Sequence, residues 1–412
     1  MTNIGKFRAL FNQYDFVFKG IHLNRVICVE LWEFANHNMM FGIHTLLKYF
    51  FTYWDVCKME TQCEILSTGG VGNRKDYLEL YQQTIDKLGD KTIYNAPYSW
   101  GRKICFHPKM MASVFFKSIK LLRDAELNLI EKICIINVAI YYCNIILALE
   151  KCDFSRVKKY VCLVDALRLE NLLTQYMQTK GIKTYSHEEG IFYIFKGKIP
   201  HDAVHYEVLT TEHLLCWSQY VIDEYSNYGI CKDRLALAGY PRKVLVKRMK
   251  EPNIFRKCLL LLARSVFDNA NQKLLEMLST LTFDHHFCLK LHPSCNYEKY
   301  AQLAQRYRME IVSKDLTIND CLNQDEYDWA IAVNTTAYYE ALMRGVPCLR
   351  FEDNSYQLPF GWSDTFYSRE GLESVLATIR KMDSNEYQKD IDDMLRYTMG
   401  VGIDNYKEIL LS

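Results

Sequence analysis

Phe287-Cys288-Leu289-Lys290-Leu291-His292-Pro293 and Trp329-Ala330-Ile331-Ala332-Val333-Asn334-Thr335-Thr336 are the two stretches that decide the fold. Each is a short apolar run that stops at residues able to meet an anion. The first ends in a His-Pro turn. The second runs into Ala337-Tyr338-Tyr339-Glu340-Ala341-Leu342, a helical pattern closed by Gly345-Val346-Pro347. Apolar runs of this length, set between helical segments, predict parallel strands covered on both faces. Strand ends of that kind collect at one edge of a sheet, where ligands bind.

The same alternation extends in both directions. Upstream, Cys63-Glu64-Ile65-Leu66 precedes a helical pattern from Asp76 to Leu88, and Lys159 to Val164 precedes one from Leu167 to Gln178. Ile182 to Tyr185, Leu214 to Trp217, Leu235 to Ala238 and Cys258 to Leu262 read as further strands, and Cys348 to Phe351 adds one downstream. From Arg369 to Leu411 the pattern is helical. A chain of 412 residues exceeds one ordinary core, so an α/β protein of two domains is expected. The expected division is a Rossmann-like domain over residues 1–235, a second over 236–375, and a helical tail over 376–412.

Fifty Lys and Arg against 49 Asp and Glu leave a net charge of +1, so no global field points to a nucleic-acid partner. Fifteen cysteines occur without a C-x-x-C pair, scattered through apolar stretches, which predicts free buried thiols and a cytoplasmic location. Met1 to Lys19 carries charges and lacks the apolar core of a signal peptide. Ile133 to Leu149 is uncharged and just reaches the length of a membrane span, but Asn137 and Asn144 interrupt it, and a buried core helix is expected. The aromatic run Phe50-Phe51-Thr52-Tyr53-Trp54 keeps a peripheral membrane contact open beside the expectation of an aromatic core segment.

Several strand ends carry groups suited to phosphate or sugar chemistry. Thr335 and Thr336 stand where a helix begins, and amides at a helix N-terminus attract anions, although a plain threonine cap would look the same. His292 can donate to a phosphate oxygen, with Pro293 setting the turn. Glu340 is placed to accept from a ribose. Arg264 follows the strand from Leu259 to Leu262, and Gly239-Tyr240-Pro241-Arg242 ends another near the domain boundary; either arginine suits a phosphate. In the first domain, Glu188-Glu189-Gly190 puts two carboxylates at a strand end, where one can act as a general base or both can form a solvated turn. Gly69-Gly70-Val71-Gly72 lacks the full dinucleotide pattern and no Walker lysine follows, so it is read as a turn near an acceptor, with Arg74 beside it. His285, His286, Cys288, His292 and Cys295 show no standard zinc spacing, and no metal is assigned.

With these residues in place, the chain resembles bacterial glycosyltransferases of the GT-B type, in particular the sialyltransferase-like and capsule or surface polysaccharide families. Glu188-Glu189-Gly190, His292-Pro293 and Thr335-Thr336 match in order the D/E-D/E-G, H-P and Ser/Thr motifs of those families. Many surface-polysaccharide transferases have Gln-His-Gly where this chain has Glu-Glu-Gly, which turns the comparison toward the sialyltransferase-like branch. The resemblance covers about residues 155 to 350. It implies two Rossmann-like domains facing each other across a cleft, the first on the acceptor side and the second binding a nucleotide sugar.

It also implies Glu188 or Glu189 as the base, His292, Pro293, Thr335 and Thr336 on the donor phosphate, and a glycan or lipid-linked acceptor. The expected reaction is metal-independent displacement at an anomeric carbon, with a CMP-linked sugar favoured as co-substrate and no further cofactor. A UDP-, GDP- or CDP-linked donor, a nucleotide-sugar 2-epimerase and a non-catalytic nucleotide-sugar-binding subunit remain alternatives.

Overall fold

The computed structural model describes residues 3–38, 41–69, 75–188, 190–192, 208–242, 246–250, 256–281, 285–323, 326–353 and 358–412. Helix α1 (Ile43–Phe51) leads into the first sheet, whose members in chain order are β1 (Ile65–Thr68), helix α2 (Lys75–Leu88) and β2 (Thr92–Asn95). Helices α3 (Pro108–Leu122) and α4 (Leu129–Leu149) intervene before β3 (Lys159–Cys162), helix α5 (Arg168–Thr179), β4 (Lys183–His187), β5 (His213–Cys216), helix α6 (Gln219–Tyr228) and β6 (Leu235–Leu237). The second sheet holds β7 (Lys257–Leu261), β8 (His286–Lys290), β9 (Glu310–Ile311), β10 (Trp329–Val333), helix α7 (Ala337–Met343), β11 (Cys348–Phe351) and β12 (Thr365–Phe366). Helices α8 (Ser384–Met399) and α9 (Tyr406–Leu411) close the chain.

Both six-stranded sheets are parallel throughout, ordered β6-β5-β4-β3-β1-β2 and β9-β8-β7-β10-β11-β12. The central strands are apolar on both faces because helices cover both. All five residues of β10 are buried, as are four of five in β7. Lys290 survives inside β8 because its ammonium reaches the carbonyls of Ser313 and Leu316 at 3.3 and 2.5 Å. The short strands β2 and β12 were not legible as strands, since two to four residues give no periodicity to read. Pairing against a neighbouring strand of the sheet makes them strands.

Helix α4 is the core helix expected, with sixteen of its 21 residues buried. It starts from a capping box in which Asn128 and Glu131 bond each other's backbone amides at 2.9 Å. The Asn137 side-chain amide donates to the Leu46 carbonyl at 3.0 Å. All fifteen cysteines are free thiols, eleven of them buried.

The division expected at residue 235 falls inside β6, whose Leu235 pairs with Leu214 of β5. After β6 the chain crosses to the second sheet, and the tail returns. Tyr397 of α8 packs on Tyr220 of α6 and its phenol donates to Asp223 at 3.3 Å, while α8 also touches α7 of the second unit. Helix α9 then packs on α2, far back in the first unit. The tail therefore straps both sheets together.

Candidate functional site

In the second sheet β7 lies at the centre, with β8 on one side and β10 on the other. The chain reverses its winding there, so the loops leaving β7 and β10 open in opposite directions and leave a crevice at their carboxyl ends. Arg264 and Ser265 follow β7, Asn334 to Thr336 follow β10, and His292-Pro293 follow β8. Sequence positions about seventy residues apart become neighbours because the strands are adjacent and in register, Leu261 pairing with both Lys290 and Ala332. Arg264, His292, Pro293 and Thr336 are exposed, Thr335 half-buried.

Ser294 is the residue that sequence reasoning missed here. Its amide donates to His292 Nδ1 at 3.1 Å, which puts the neutral ring's proton on Nε2. Its hydroxyl lies 2.9 Å from the same nitrogen and accepts from the Ser265 amide at 3.0 Å, clipping the His-Pro turn to the loop after β7. The available signal was Pro293, whose fixed φ turns the chain and brings position 294 back toward the His292 ring. His292 is thus oriented through Nδ1, by the amide and the hydroxyl of Ser294.

The helix that follows β10 differs from expectation in one respect. Asn334 takes φ +31°, a conformation asparagine tolerates better than most residues, and this turns the chain sharply out of the sheet. Thr335 Oγ1 accepts from the Ala337 amide at 3.3 Å, whereas the Thr336 side chain makes no cap bond. The amides of Tyr338 and Tyr339 bond the carbonyls of Thr335 and Thr336 at 3.2 and 3.0 Å. The first turn thus consumes the amides of Ala337 to Glu340, and the residues left to meet an anion are Thr335 and Thr336 at its entrance.

Beneath this turn lies a cavity lined by Asn334, Thr335, Tyr338, Tyr339, Arg350 and Pro359. Arg350 is buried and meets Asp364 at 2.9 Å, and it donates to the carbonyls of Pro359 and Trp362 at 2.7 and 3.0 Å. The Tyr338 phenol donates to Asp364 and stacks against the guanidinium, 4.7 Å from the ring centre. Burial, and then the Asp364 carboxylate, push that phenol far above the ordinary tyrosine range, so it remains a donor. The network fixes the start of helix α7 against β11 and the segment that follows it.

Glu340 and Arg242, expected separately, are brought together. Arg242 Nη1 lies 3.2 Å from Glu340 Oε1, tying the segment after β6 to helix α7. Gly239 sits under the tail: it has φ +99°, and a Cβ there would stand 1.9 Å from the Ile403 carbonyl oxygen. Its own carbonyl accepts from Tyr406 at 2.9 Å. The close crossing of two backbones is the physical reason for glycine at this position.

In the first unit Glu188 is buried, and its Oε2 accepts from the Trp217 amide at 2.7 Å, so the carboxylate bridges the ends of β4 and β5. The preceding His187 gives a proton from Nδ1 to the Glu188 carbonyl at 2.8 Å, accepts from Thr84 at 2.9 Å and stacks on Tyr406. Burial pulls its pKa down to about 4, so the ring is neutral. Gly69 is buried at the end of β1 against Tyr94. Glu189, Gly70 and Arg74 lie outside the described residues.

At the opposite end of the second sheet, His286, Cys288 and Glu310 come within 4.8 Å of one another. Positions 286 and 288 share a face of β8, and Glu310 on β9 pairs with Cys288, a partner that spacing alone did not show. Glu310 meets His286 at 3.0 Å and accepts from the Cys288 thiol at 3.7 Å. Burial and the Glu310 charge hold that thiol up at about 12, in its protonated form, and the three groups satisfy one another.

No protein-family model matches the sequence, and no curated protein matches it. Solved structures do match in fold. The Anabaena protein Alr3699/HepE, in complex with UDP-glucose, aligns at a TM-score of 0.50 and 10% identity, over 84% of this chain and 99% of that one. Methanocaldococcus jannaschii UDP-GlcNAc 2-epimerase, in complex with UDP-GlcNAc and UDP, aligns at 0.45 and 11% identity over 81% and 98%. The lipopolysaccharide outer core galactosyltransferase WaaB aligns at 0.45 and 11% over 84% and 97%. At such identities it is the fold that is shared. The chain has the GT-B architecture, with two parallel α/β sheets and C-terminal helices returning to the first.

Proposed function

We propose that the protein transfers a sugar from a nucleotide-activated donor to a hydroxyl acceptor, with the donor phosphates seated in the crevice between β7 and β10. The observation that supports this reading is that Arg264, His292 and the Thr335-Thr336 pair follow the carboxyl ends of three neighbouring strands, β7, β8 and β10, beside the point where the second sheet reverses its winding. A guanidinium, an imidazole and two hydroxyls on fixed strand ends suit an anion whose charge grows as its bond to the sugar breaks. Thr335 and Thr336 serve through their hydroxyls, and His292 through Nε2.

A diphosphate-linked donor, UDP-linked in the first instance, is preferred here to the CMP-linked sugar of the sialyltransferase-like branch. The reason is the likeness to a protein that holds UDP-glucose, and the number of donors at the crevice suits the larger anion. In the reaction the acceptor oxygen forms its bond to the anomeric carbon while the bond from that carbon to the phosphate oxygen breaks. The acceptor proton passes to a carboxylate, and the nucleotide leaves with the electron pair. Because Trp217 holds Glu188, the adjacent Glu189 is the favoured base. No step in this scheme requires a metal ion.

The test is a panel of UDP-, CMP-, GDP- and CDP-linked donors, with and without glycan acceptors, in buffer containing EDTA. Acceptor-dependent release of UDP is the expected result. Release without acceptor, accompanied by an altered sugar, would assign the chain to epimerisation and overturn the transferase reading. His292→Ala should weaken UDP binding by about tenfold, the worth of one hydrogen bond to a charged group; unchanged affinity would remove His292 from the phosphate site.

A further inference from the structure

Eleven of the eighteen exposed large apolar side chains among the described residues fall between residues 43 and 133, a concentration that calls for a cause. On α1, Ile43, Leu47 and Phe51 follow one another four residues apart and line one face, and the helix buries none of its residues. Beyond it, the short strand Thr52–Trp54 pairs antiparallel with Arg102–Ile104, and the Cys105 amide bonds the Phe51 carbonyl at 2.9 Å. That register sets Ile104 beside the end of α1 and stacks Phe106 on Phe51, ring centres 6.4 Å apart. Helix α3 starts two residues later and presents Phe116 and Ile119, while Leu129 and Ile130 protrude at the start of α4. Helices α1 and α3 both pack on α4, and the Phe51–Phe106 contact joins the end of α1 to the segment leading into α3.

The charge on this face is as uneven as its hydrophobicity. Residues 101–123 carry six Lys or Arg and no Asp or Glu, in a chain whose net charge is +1. Arg102 and Lys117 are held in the fold, the first 4.9 Å over the Trp54 ring and the second donating to the Val17 carbonyl at 3.1 Å. Lys103, Lys109 and Lys120 stand exposed among the apolar groups. Asp124 and Glu126 end the basic run, Asp124 being 3.8 Å from Arg123.

We propose that this face seats the protein on an anionic membrane surface. Protruding aromatic and aliphatic groups enter the acyl boundary while lysines meet lipid phosphates, the two contributions that bind interfacial segments. A self-paired dimer through the same face would bring like charges together, and a neutral apolar partner would leave the lysines unsatisfied. Exposed Ile104 lies nine residues beyond the carboxyl end of β2, so docking there would hold the acceptor edge of the first sheet toward lipid. The seating stands on the surface alone; the consequence that the acceptor is lipid-linked rests on the transferase reading.

Flotation of the full-length protein with vesicles of phosphatidylcholine, alone or with about one third phosphatidylglycerol, tests the seating without any donor. Wild-type protein should float with the anionic vesicles only, and less at high salt. Phe106→Ser with Phe116→Ser should lower partition about tenfold per phenylalanine, and Lys103→Glu, Lys109→Glu and Lys120→Glu roughly fivefold each. All five positions are exposed, so unfolding midpoints should stay unchanged. Wild-type protein that remains unbound, variants that float as wild type, or a dimer abolished by the same phenylalanine changes would each overturn the proposal. Vesicle binding by a protein that turns over no donor would retain the surface and remove the transferase reading.

Discussion

Gly400→Ala tests whether the tail is locked onto the first sheet. Gly400 ends α8 at φ +69°, and a Cβ built there would lie 1.8 Å from the Trp217 carbonyl oxygen, against a contact limit of 3.0 Å. The obstructing atom is backbone, so the tail must retreat by about 1.2 Å. Four hydrogen bonds cross this junction: Tyr240 amide to Gly400 at 3.2 Å, and Asn405 amide to Ala238, Asn405 side chain to Leu237 and Tyr406 phenol to Gly239 at 2.9 Å each. At about 1 kcal/mol net apiece, losing two or three adds ~2–3 kcal/mol to the left-handed penalty of ~1–2 kcal/mol for alanine.

The control is Gly181→Ala. Gly181 has φ +70° with nothing within 4 Å of its would-be Cβ, and it should cost only the ~1–2 kcal/mol backbone penalty. Urea unfolding followed by circular dichroism should therefore place Gly400→Ala at ~3–5 kcal/mol and well below its control. Equal losses in the two variants would show that the crossing is loose and that the tail does not hold the first sheet.

Asp364→Asn strips the anion from buried Arg350 and should destabilise by about 3–5 kcal/mol, with much of it recovered in Asp364→Asn with Arg350→Met; a single-variant loss below about 1 kcal/mol would contradict the network. His187 has a folded pKa near 4 against an ordinary 6.5, so the unfolded chain binds the extra proton between those values. Its contribution is complete above pH 6.5 and is lost as pH falls toward 4, up to about 3 kcal/mol. His187→Gln should flatten the unfolding midpoint across that window, and an unchanged slope would remove His187 as the cause. A double-mutant cycle on Arg242→Met and Glu340→Gln should return a coupling of about 1 kcal/mol, and zero coupling would mean that the pair joins nothing.

Strand and helix order, the two-sheet architecture and the buried character of α4 were legible in the sequence because they depend on local periodicity. A run such as Trp329 to Val333 can be buried on both faces only in a covered sheet, whatever lies elsewhere. The ends of those runs were legible for the same reason, which is how His292, Arg264 and Thr335 could be named in advance. Adjacency was another matter. The order β8-β7-β10, the Ser294 clip, the meeting of Arg242 with Glu340 and the pairing of Cys288 with Glu310 all join residues far apart in the chain, and one sequence carries no record of such distances.

Gly239 shows the limit most clearly. Its sequence context suggests a phosphate turn, and the folded chain uses it to let Ile403 pass. The burial of Glu188 against Trp217 is of the same kind, since a carboxylate's environment is made by whatever folds over it. Local pattern determines what each segment is and which groups stand at its ends. Only the tertiary structure decides which of those ends face one another, because that is set by packing many small contacts at once rather than by any single stretch.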